Sequence, residues 1–497
     1  MDAPLFVGVD VGTSGVKVGV VDVRGEILAL TAAPCPVERP RPGFVEQDPD
    51  DYWTVVVRCV REALAAPGVD ARRVTALSSC GHAPTLVLLD SEGRPVRPAI
   101  LWQDTRAAKE AEALANEPGA ERLAEWLGVR WPVDASLPAA RFLWLRRHEP
   151  AALARVTKVL LPKDYVHLRL TGEASTDAWS GKGLVNQQTL QPIEPLFALA
   201  GLRSDVAPRA LAASAAVGRV HAEGAAATGL PEGIPVVAGW TDAMAAMLGT
   251  GALGEAGLAC DVSGTSEVIG LTAAARPADT GPLMAADILA SGRWMVYGPT
   301  QASGGSLGWI LRTLGLEGDA VGALERAAMA PAGADGLVFL PYLQGERAPL
   351  WDPRARGGLV GLTTAHGAEH LVRAVLEGVA CSVWHVLSSA EGAVGETTRE
   401  VRVAGGGARM AVWNRIKASI AGRRFRPCAT AENGVLGAAM LAVLGSGVYA
   451  DAAEAGRAMV RLEEPVEPDV EVAGVYQRLF ERYVALWPRI AEIARGN

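Results

Sequence analysis

The chain has 497 residues, 49% hydrophobic and 21% charged, with 47 Lys and Arg against 55 Asp and Glu and a formal net charge of −8. That length exceeds what one hydrophobic core usually supports and predicts two domains or more. The acidic balance argues against a nucleic-acid footprint, and no uninterrupted apolar run reaches membrane-spanning length.

Two β-branched runs, residues 5–11 and 16–21, flank Gly12-Thr13-Ser14-Gly15 and predict a hairpin with a small-residue turn. Asp10 falls inside the first run, beside the turn. An unpaired buried carboxylate is expensive, and a hydrated divalent cation is one partner for it. The turn residues lack bulk, so backbone N–H groups and the Thr13 and Ser14 hydroxyls can approach an anion closely. From this stretch alone, a metal ligand with a phosphate cradle and an ordinary turn with a solvated Asp are equal readings.

Residues 26–30 read as a third strand. Asp48 and Pro49 supply an N-cap and a first-turn proline, and Trp53, Val56, Val57, Val60 and Leu64 follow at helical spacing. Strands are expected at 74–79, 85–89 and 99–102, a mainly helical stretch over 107–170, a strand at 234–238 and a helix start at 242–248. Cysteines 35, 59, 80, 260, 381 and 428 form no Cys-x-x-Cys pair, and the N-terminus lacks the regions of a signal peptide. The pattern is that of reduced thiols in a cytoplasmic protein.

About halfway along the chain, Asp261-Val-Ser-Gly-Thr-Ser266 opens another apolar pair, 257–262 and 267–271. Self-similarity at that period predicts two duplicated units, each carrying one phosphate-binding hairpin, with a nucleotide clamped at the cleft between them. The second half continues with a strand at 294–297, a helix after Gly304-Gly305, a strand at 338–340 and a long helix over 366–389. A strand at 401–404 ends in Gly405-Gly406-Gly407, which opens another helix; a short strand at 425–428 and helices at 434–444 and 475–494 follow. Each half is thus expected to be a mixed sheet with helices packed against it, with domains at 1–250 and 251–497.

Asp242 follows an apolar strand in Gly239-Trp240-Thr241-Asp242, where a carboxylate at a helix N-terminus gains from the dipole and can accept a proton from a hydroxyl. A plain N-cap is the competing reading. The Gly405–407 triplet would let a nucleotide lie against backbone, or is simply a tight connection. Gly249-Thr-Gly-Ala-Leu-Gly254 matches the dinucleotide pattern but follows a helix, so its required context is missing.

The chain resembles the FGGY family of carbohydrate kinases, which shares a ribonuclease H-like architecture with actin and hexokinase. The resemblance is carried by Gly357-Gly-Leu-Val-Gly-Leu362, His370-Leu371 and Ala374-Val-Leu-Glu377, by Phe339-Leu-Pro-Tyr-Leu-Gln-Gly-Glu-Arg-Ala-Pro349, and by Leu160-Leu-Pro-Lys-Asp-Tyr165 with Arg169-Leu-Thr-Gly172. It implies two α/β domains around an ATP and sugar cleft. Asp10 would hold Mg²⁺ through water, and Thr13, Ser14, Gly264 and Thr265 would hold the ATP phosphates. Gly405, Gly406 and Gly407 would border the adenosine, and Asp242 would be the catalytic base.

Trp102 and Asp104 match the family's Trp-x-Asp-x-Arg pattern and, with His82, are the expected substrate residues. A structural histidine is an equal reading for His82. Xylulokinases carry a Met-His pair at the positions of Ala83 and Pro84, His82 stands where the family usually has Gln, and Ser180-Gly-Lys-Gly183 replaces the commoner Ala-Ser-Gly-Thr. The expected activity is therefore ATP-dependent phosphorylation of a small sugar, D-xylulose first, then ribulose, erythritol or glycerol. A non-catalytic sugar sensor is the competing class. The resemblance also allows a homodimer and implies no nucleic-acid or membrane partner.

Overall fold

The structure is a computed structural model that describes residues 3–494. It divides into two compact units: one takes the chain up to Gly249 together with Gly434–Met459, the other takes Thr250–Asn433 and the chain from Val460 on.

The first unit is built on β1 (Leu5–Val11), β2 (Gly15–Asp22), β3 (Ile27–Pro34), β4 (Val74–Gly81), β5 (Ala216–Arg219) and β6 (Pro235–Val237), in sheet order β5-β6-β4-β1-β2-β3. The β1–β2–β3 meander is antiparallel, β4 and β6 add in parallel, and β5 closes the edge antiparallel to β6. Helix α1 (Pro49–Leu64) starts as expected, with the Asp48 side chain accepting from Asp50 N at 3.0 Å, and buries Tyr52, Val56, Cys59 and Val60 against this sheet. Two further helices, α2 (Pro162–Thr171) and α3 (Asp242–Leu248), matter for the site. The helix Asn433–Gly445 approaches the sheet so closely that a Cβ on Gly8 would lie 2.2 Å from Val435 O, and one on Gly437 would lie 1.8 Å from Ala245 O. Only glycine permits that contact.

The second unit repeats the plan with β7 (Leu258–Ser263), β8 (Glu267–Ala273), β9 (Met284–Asp287), β10 (Trp294–Thr300), β11 (Glu400–Gly405) and β12 (Arg424–Pro427), ordered β9-β10-β8-β7-β11-β12. Its first three core strands are antiparallel and the next two parallel, as in the first unit. The extra edge strand differs: β5 flanks the fifth core strand of one sheet, and β9 flanks the third of the other. Helices α4 (Gly304–Thr313), α5 (Ala368–Val394) and α6 (Ala411–Ala421) cover this sheet. Among them α5 is long and apolar because most of it is buried core.

Strands and helices fall where hydrophobic periodicity places them, with informative exceptions. The segments expected as strands at 85–89 and 99–102 leave the main sheet. Val87–Leu89 pairs with Lys158–Leu160, and Ala99–Ile100 with Glu46–Gln47. The edge strands β5 and β9 carry Ala-Val-Gly-Arg and Met-Ala-Ala-Asp, with no β-branched run to mark them. The glycine triplet does not lead straight into a helix; one 3₁₀ turn, Gly406–Arg409, precedes α6.

Candidate active site

In the first unit the C-terminal ends of β1 and β4 and the link from β6 to α3 come together. His82 N donates to Val11 O at 3.1 Å, Gly81 N donates to Trp240 O at 3.3 Å, and Gly81 pairs with Thr241. Asp242 opens α3, but the cap is Thr241, whose Oγ1 accepts from Met244 N at 3.3 Å. Capping therefore does not consume the Asp242 carboxylate, which accepts from Ala243 N at 2.7 Å. Burial pushes this carboxyl above its usual range, while the Ala243 N–H and the Lys182 ammonium pull the other way. Cys80 is placed to feel both Asp10 and Asp242. Its thiol donates to Asp10 Oδ1 at 3.4 Å, and burial followed by the two carboxylates keeps it protonated.

Asp10 is half-buried at the end of β1. A Cβ on Gly434 would lie 2.8 Å from its Oδ2, so the glycine keeps that side of the carboxylate uncrowded.

His82 is buried, and its Nδ1 lies 2.9 Å from Thr85 Oγ1. That hydroxyl also accepts from Trp102 N at 3.2 Å. The ring is neutral, since burial takes its pKa down to about 3, and its Nε2 has no hydrogen-bond partner among the described residues.

The contacts close on themselves. Trp102 Nε1 donates to Thr13 Oγ1 at 3.0 Å, Thr13 O accepts from Gln47 Nε2 at 2.9 Å, and Gln47 Oε1 accepts from Tyr52 OH at 2.9 Å. The Tyr52 ring meets His82 edge-on, with centroids 5.9 Å apart. Thr13 on the hairpin turn and His82 thus belong to one circuit, beside which Ser14 is exposed on the same turn.

Asp104 lies outside it. One oxygen accepts from Arg106 N and Nε at 2.9 and 2.8 Å, the other from Val45 N and Arg106 at 2.6 and 2.7 Å. With both oxygens engaged inside the protein, Asp104 anchors the 102–106 segment.

In the second unit, Ser263 pairs with Gly405 across β7 and β11. A Cβ on Gly405, whose φ is +75°, would lie 2.3 Å from Ser263 O, and one on Gly407 would lie 2.5 Å from Ser263 Oγ; Gly406 is exposed and less confined. Gly264 and Thr265 are exposed at the hairpin turn and dock on the start of α4, their carbonyls accepting from Gly304 N and Gly305 N at 3.0 Å each. The five residues of this unit expected to meet nucleotide therefore lie at the ends of neighbouring strands of one sheet.

Beneath them lies a buried ion cluster. Lys417 Nζ donates to Asp261 at 2.7 Å, to Ser263 Oγ at 3.3 Å and to Glu267, and Ser263 Oγ also donates to Glu267. Burial and the neighbouring Glu267 push Asp261 well up. Burial also acts to raise Glu267, but Lys417 and the surrounding hydrogen bonds hold it below its usual value.

The two hairpins are alike in Gly-Thr-Ser and unlike in their aspartates. Asp10 stands two residues before its glycine and Asp261 three before its own. Because strand side chains alternate, that offset turns Asp261 to the core, where its counterpart is the buried Val9.

Sequence reasoning does not single out Lys163 or Lys182 as functional. Lys163 pairs with Asp164 at 2.6 Å and Asp177 at 3.0 Å and donates to Ala238 O at 2.9 Å, tying the 177–183 turn to the approach of Asp242. Lys182 stands on that turn. The departure Ser180-Gly-Lys-Gly183 is the signal that marks it.

The N-terminal domain of the FGGY family of carbohydrate kinases matches residues 5–249, and its C-terminal domain matches residues 259–446. The chain is 30% identical over 490 residues to a protein named xylulose kinase from Bacillus subtilis (strain 168), covering 98% of this chain and 97% of the relative. It is 32% identical over 492 residues to the xylulose kinase of Escherichia coli (strain K12), covering 98% and 99%. The crystal structure of a xylulose kinase from Rhodospirillum rubrum superposes with a TM-score of 0.89 at 30% identity, over 98% of this chain and 99% of that one. The chain belongs to the FGGY family of carbohydrate kinases.

Proposed function

We propose that the chain transfers the γ-phosphoryl group of ATP to a primary hydroxyl of a pentulose, D-xylulose first. The observation that carries this reading is Asp242, a carboxylate relieved of capping at the start of α3, next to Thr241, which pairs with Gly81 at the end of β4. Asp242 accepts the hydroxyl proton as that oxygen attacks the γ-phosphorus and the bond to the ADP oxygen breaks. The transition state for such transfers is loose, so positioning and charge neutralisation supply most of the catalysis. Thr13, Ser14, Gly264 and Thr265 hold the phosphates, and Gly405, Gly406 and Gly407 take the adenosine. Asp104 acts through Trp102, whose segment it anchors.

Asp10 fits a hydrated Mg²⁺. The carboxylate is half-buried at the end of β1 with Gly434 beside its Oδ2, which would leave room for an ion that keeps most of its waters and takes one carboxylate. Bound there, magnesium would neutralise phosphate charge. The six cysteines are free and buried, in keeping with the cytoplasm.

Full-length likeness to xylulose kinases supports the pentulose, whereas Ala83 and Pro84 in place of the xylulokinase Met-His pair favour ribulose, erythritol or glycerol as the second reading. ADP release from Mg-ATP across these acceptors decides between them. The highest kcat/KM is expected with D-xylulose, and no release above background with any of them would leave the sensor. His82→Leu removes one hydrogen-bonding group from the sugar side and is expected to raise acceptor KM about tenfold with little change in kcat, the loss of one hydrogen bond. An unchanged KM would make His82 structural.

A further inference from the structure

The 177–183 turn holds an ammonium for which the protein supplies no close counter-ion. Lys182 is 6% exposed, and no carboxylate of the described residues lies within 4.0 Å of its Nζ. Its nearest companions are aromatic: Nζ lies 4.4 Å from the Trp131 ring centroid and 5.2 Å from that of Trp179. The two indoles meet nearly at right angles, at 81° and 6.3 Å between centroids, and form a corner around the ammonium. Cation–π contacts offset part of the cost of burying an ammonium, not all of it.

The nearby carboxylates are otherwise occupied. Asp177 is paired with Lys163 and accepts from Trp179 N and Ser180 N at 3.0 and 2.9 Å. Asp242, the acceptor-facing carboxylate, acts on Lys182 only through space. Burial takes the ammonium down to about 8, against the pull of Asp177 and Asp242. Two residues away, the buried Ser180 Oγ has no hydrogen-bond partner among the described residues. The turn thus presents an ammonium and a hydroxyl, two donors suited to an anionic oxygen.

We propose that Lys182 is the anion-binding residue of the acceptor site, its Nζ taking an anionic oxygen that a bound reactant brings. Two sources share that chemistry: a carboxylate on a sugar-acid acceptor, and the phosphoryl group in transit to the acceptor hydroxyl. The second source rests on the reading of Asp242 as the residue that meets that hydroxyl; the first needs only the site. In either case Lys182 donates to oxygen, and no covalent bond to the chain forms.

The test titrates the full chain calorimetrically with D-gluconate, D-xylulose and inorganic phosphate, and follows ADP release, in wild type, Lys182→Met and Lys182→Arg. If the anion is an acceptor carboxylate, Lys182→Met weakens D-gluconate binding at least tenfold relative to D-xylulose, the acid-to-neutral ratio of kcat/KM falls with it, and Lys182→Arg recovers most of both. If it is the phosphoryl group, kcat falls at least thirtyfold for every acceptor with KM unmoved, phosphate binding weakens, and Lys182→Arg recovers activity.

Anion affinities and kcat of Lys182→Met all within threefold of wild type would overturn the proposal. Should that variant fail to fold, wild-type D-gluconate and phosphate titrations at pH 7 and pH 9 replace it. Weaker binding at pH 9 supports the proposal, and pH-independent binding or none for both anions overturns it. Lys182-dependent anion binding without ADP release from any acceptor would uphold this inference and sink the kinase reading.

Discussion

Asp242→Ala is expected to lower kcat by about 10²–10⁴-fold, the usual contribution of a positioned general base. The variant should fold, because Thr241 and not Asp242 caps α3. Binding of nucleotide should persist, so the loss belongs to the chemical step and is read in single-turnover ADP formation. The same group sets a pH dependence with a definite sign. A base works ionised, and burial holds this carboxyl above the ordinary aspartate value of about 3.9. Activity should therefore fall on the acid side at a pH above that value, and the residual activity of Asp242→Ala should lack that limb. Because Lys182 pulls Asp242 down, Lys182→Met should shift the limb to higher pH. Activity of Asp242→Ala within tenfold of wild type would remove the base and, with it, the mechanism.

Lys417→Met should be the most damaging substitution for stability. It strands Asp261 and Glu267, both fully buried, with no cation between them. Breaking one partner out of a buried ion cluster costs about 3–5 kcal/mol, far more than the intact cluster contributes over an apolar replacement. Asp261, already pushed up in wild type, loses the pull of Lys417 and rises further. The larger change is at Glu267: held down in wild type, it loses Lys417 and is expected to rise above its unfolded value in the variant. A raised carboxyl contributes stability at low pH that is lost as pH rises through its folded value. The deficit of Lys417→Met relative to wild type should therefore be largest near pH 7.5 and narrow toward pH 5.5, in denaturant melts at both. Lys417→Met/Glu267→Met, which removes both charges, should recover most of the loss. A deficit that ignores pH, or a double variant no better than the single, would mean that packing and not charge explains Lys417.

Much of this was legible in the letters, for a physical reason: periodicity and turn chemistry are local. The hairpin around Gly12-Thr13-Ser14 and the strand-to-helix step at Asp242 needed only neighbours in the chain. The edge strands β5 and β9 were not legible, since small residues at a sheet edge carry no pattern of their own. Long-range pairing was equally hidden. Nothing in Glu267 or Lys417, 150 residues apart, announces that they share a proton economy. Asp104 matched a family pattern, yet only coordinates reveal that Arg106 and Val45 absorb both of its oxygens.

The closed path from His82 through Thr85, Trp102, Thr13, Gln47 and Tyr52 back to His82 has an energetic corollary. If a sugar engages His82, it stiffens the circuit of contacts that also holds Thr13, so on the proposed roles it should tighten ATP and be tightened by ATP to the same factor, as thermodynamic reciprocity demands. Such coupling would also guard the nucleotide. Water is too small to press on His82 and would leave the loop slack, so wasteful hydrolysis should stay slow until a sugar arrives.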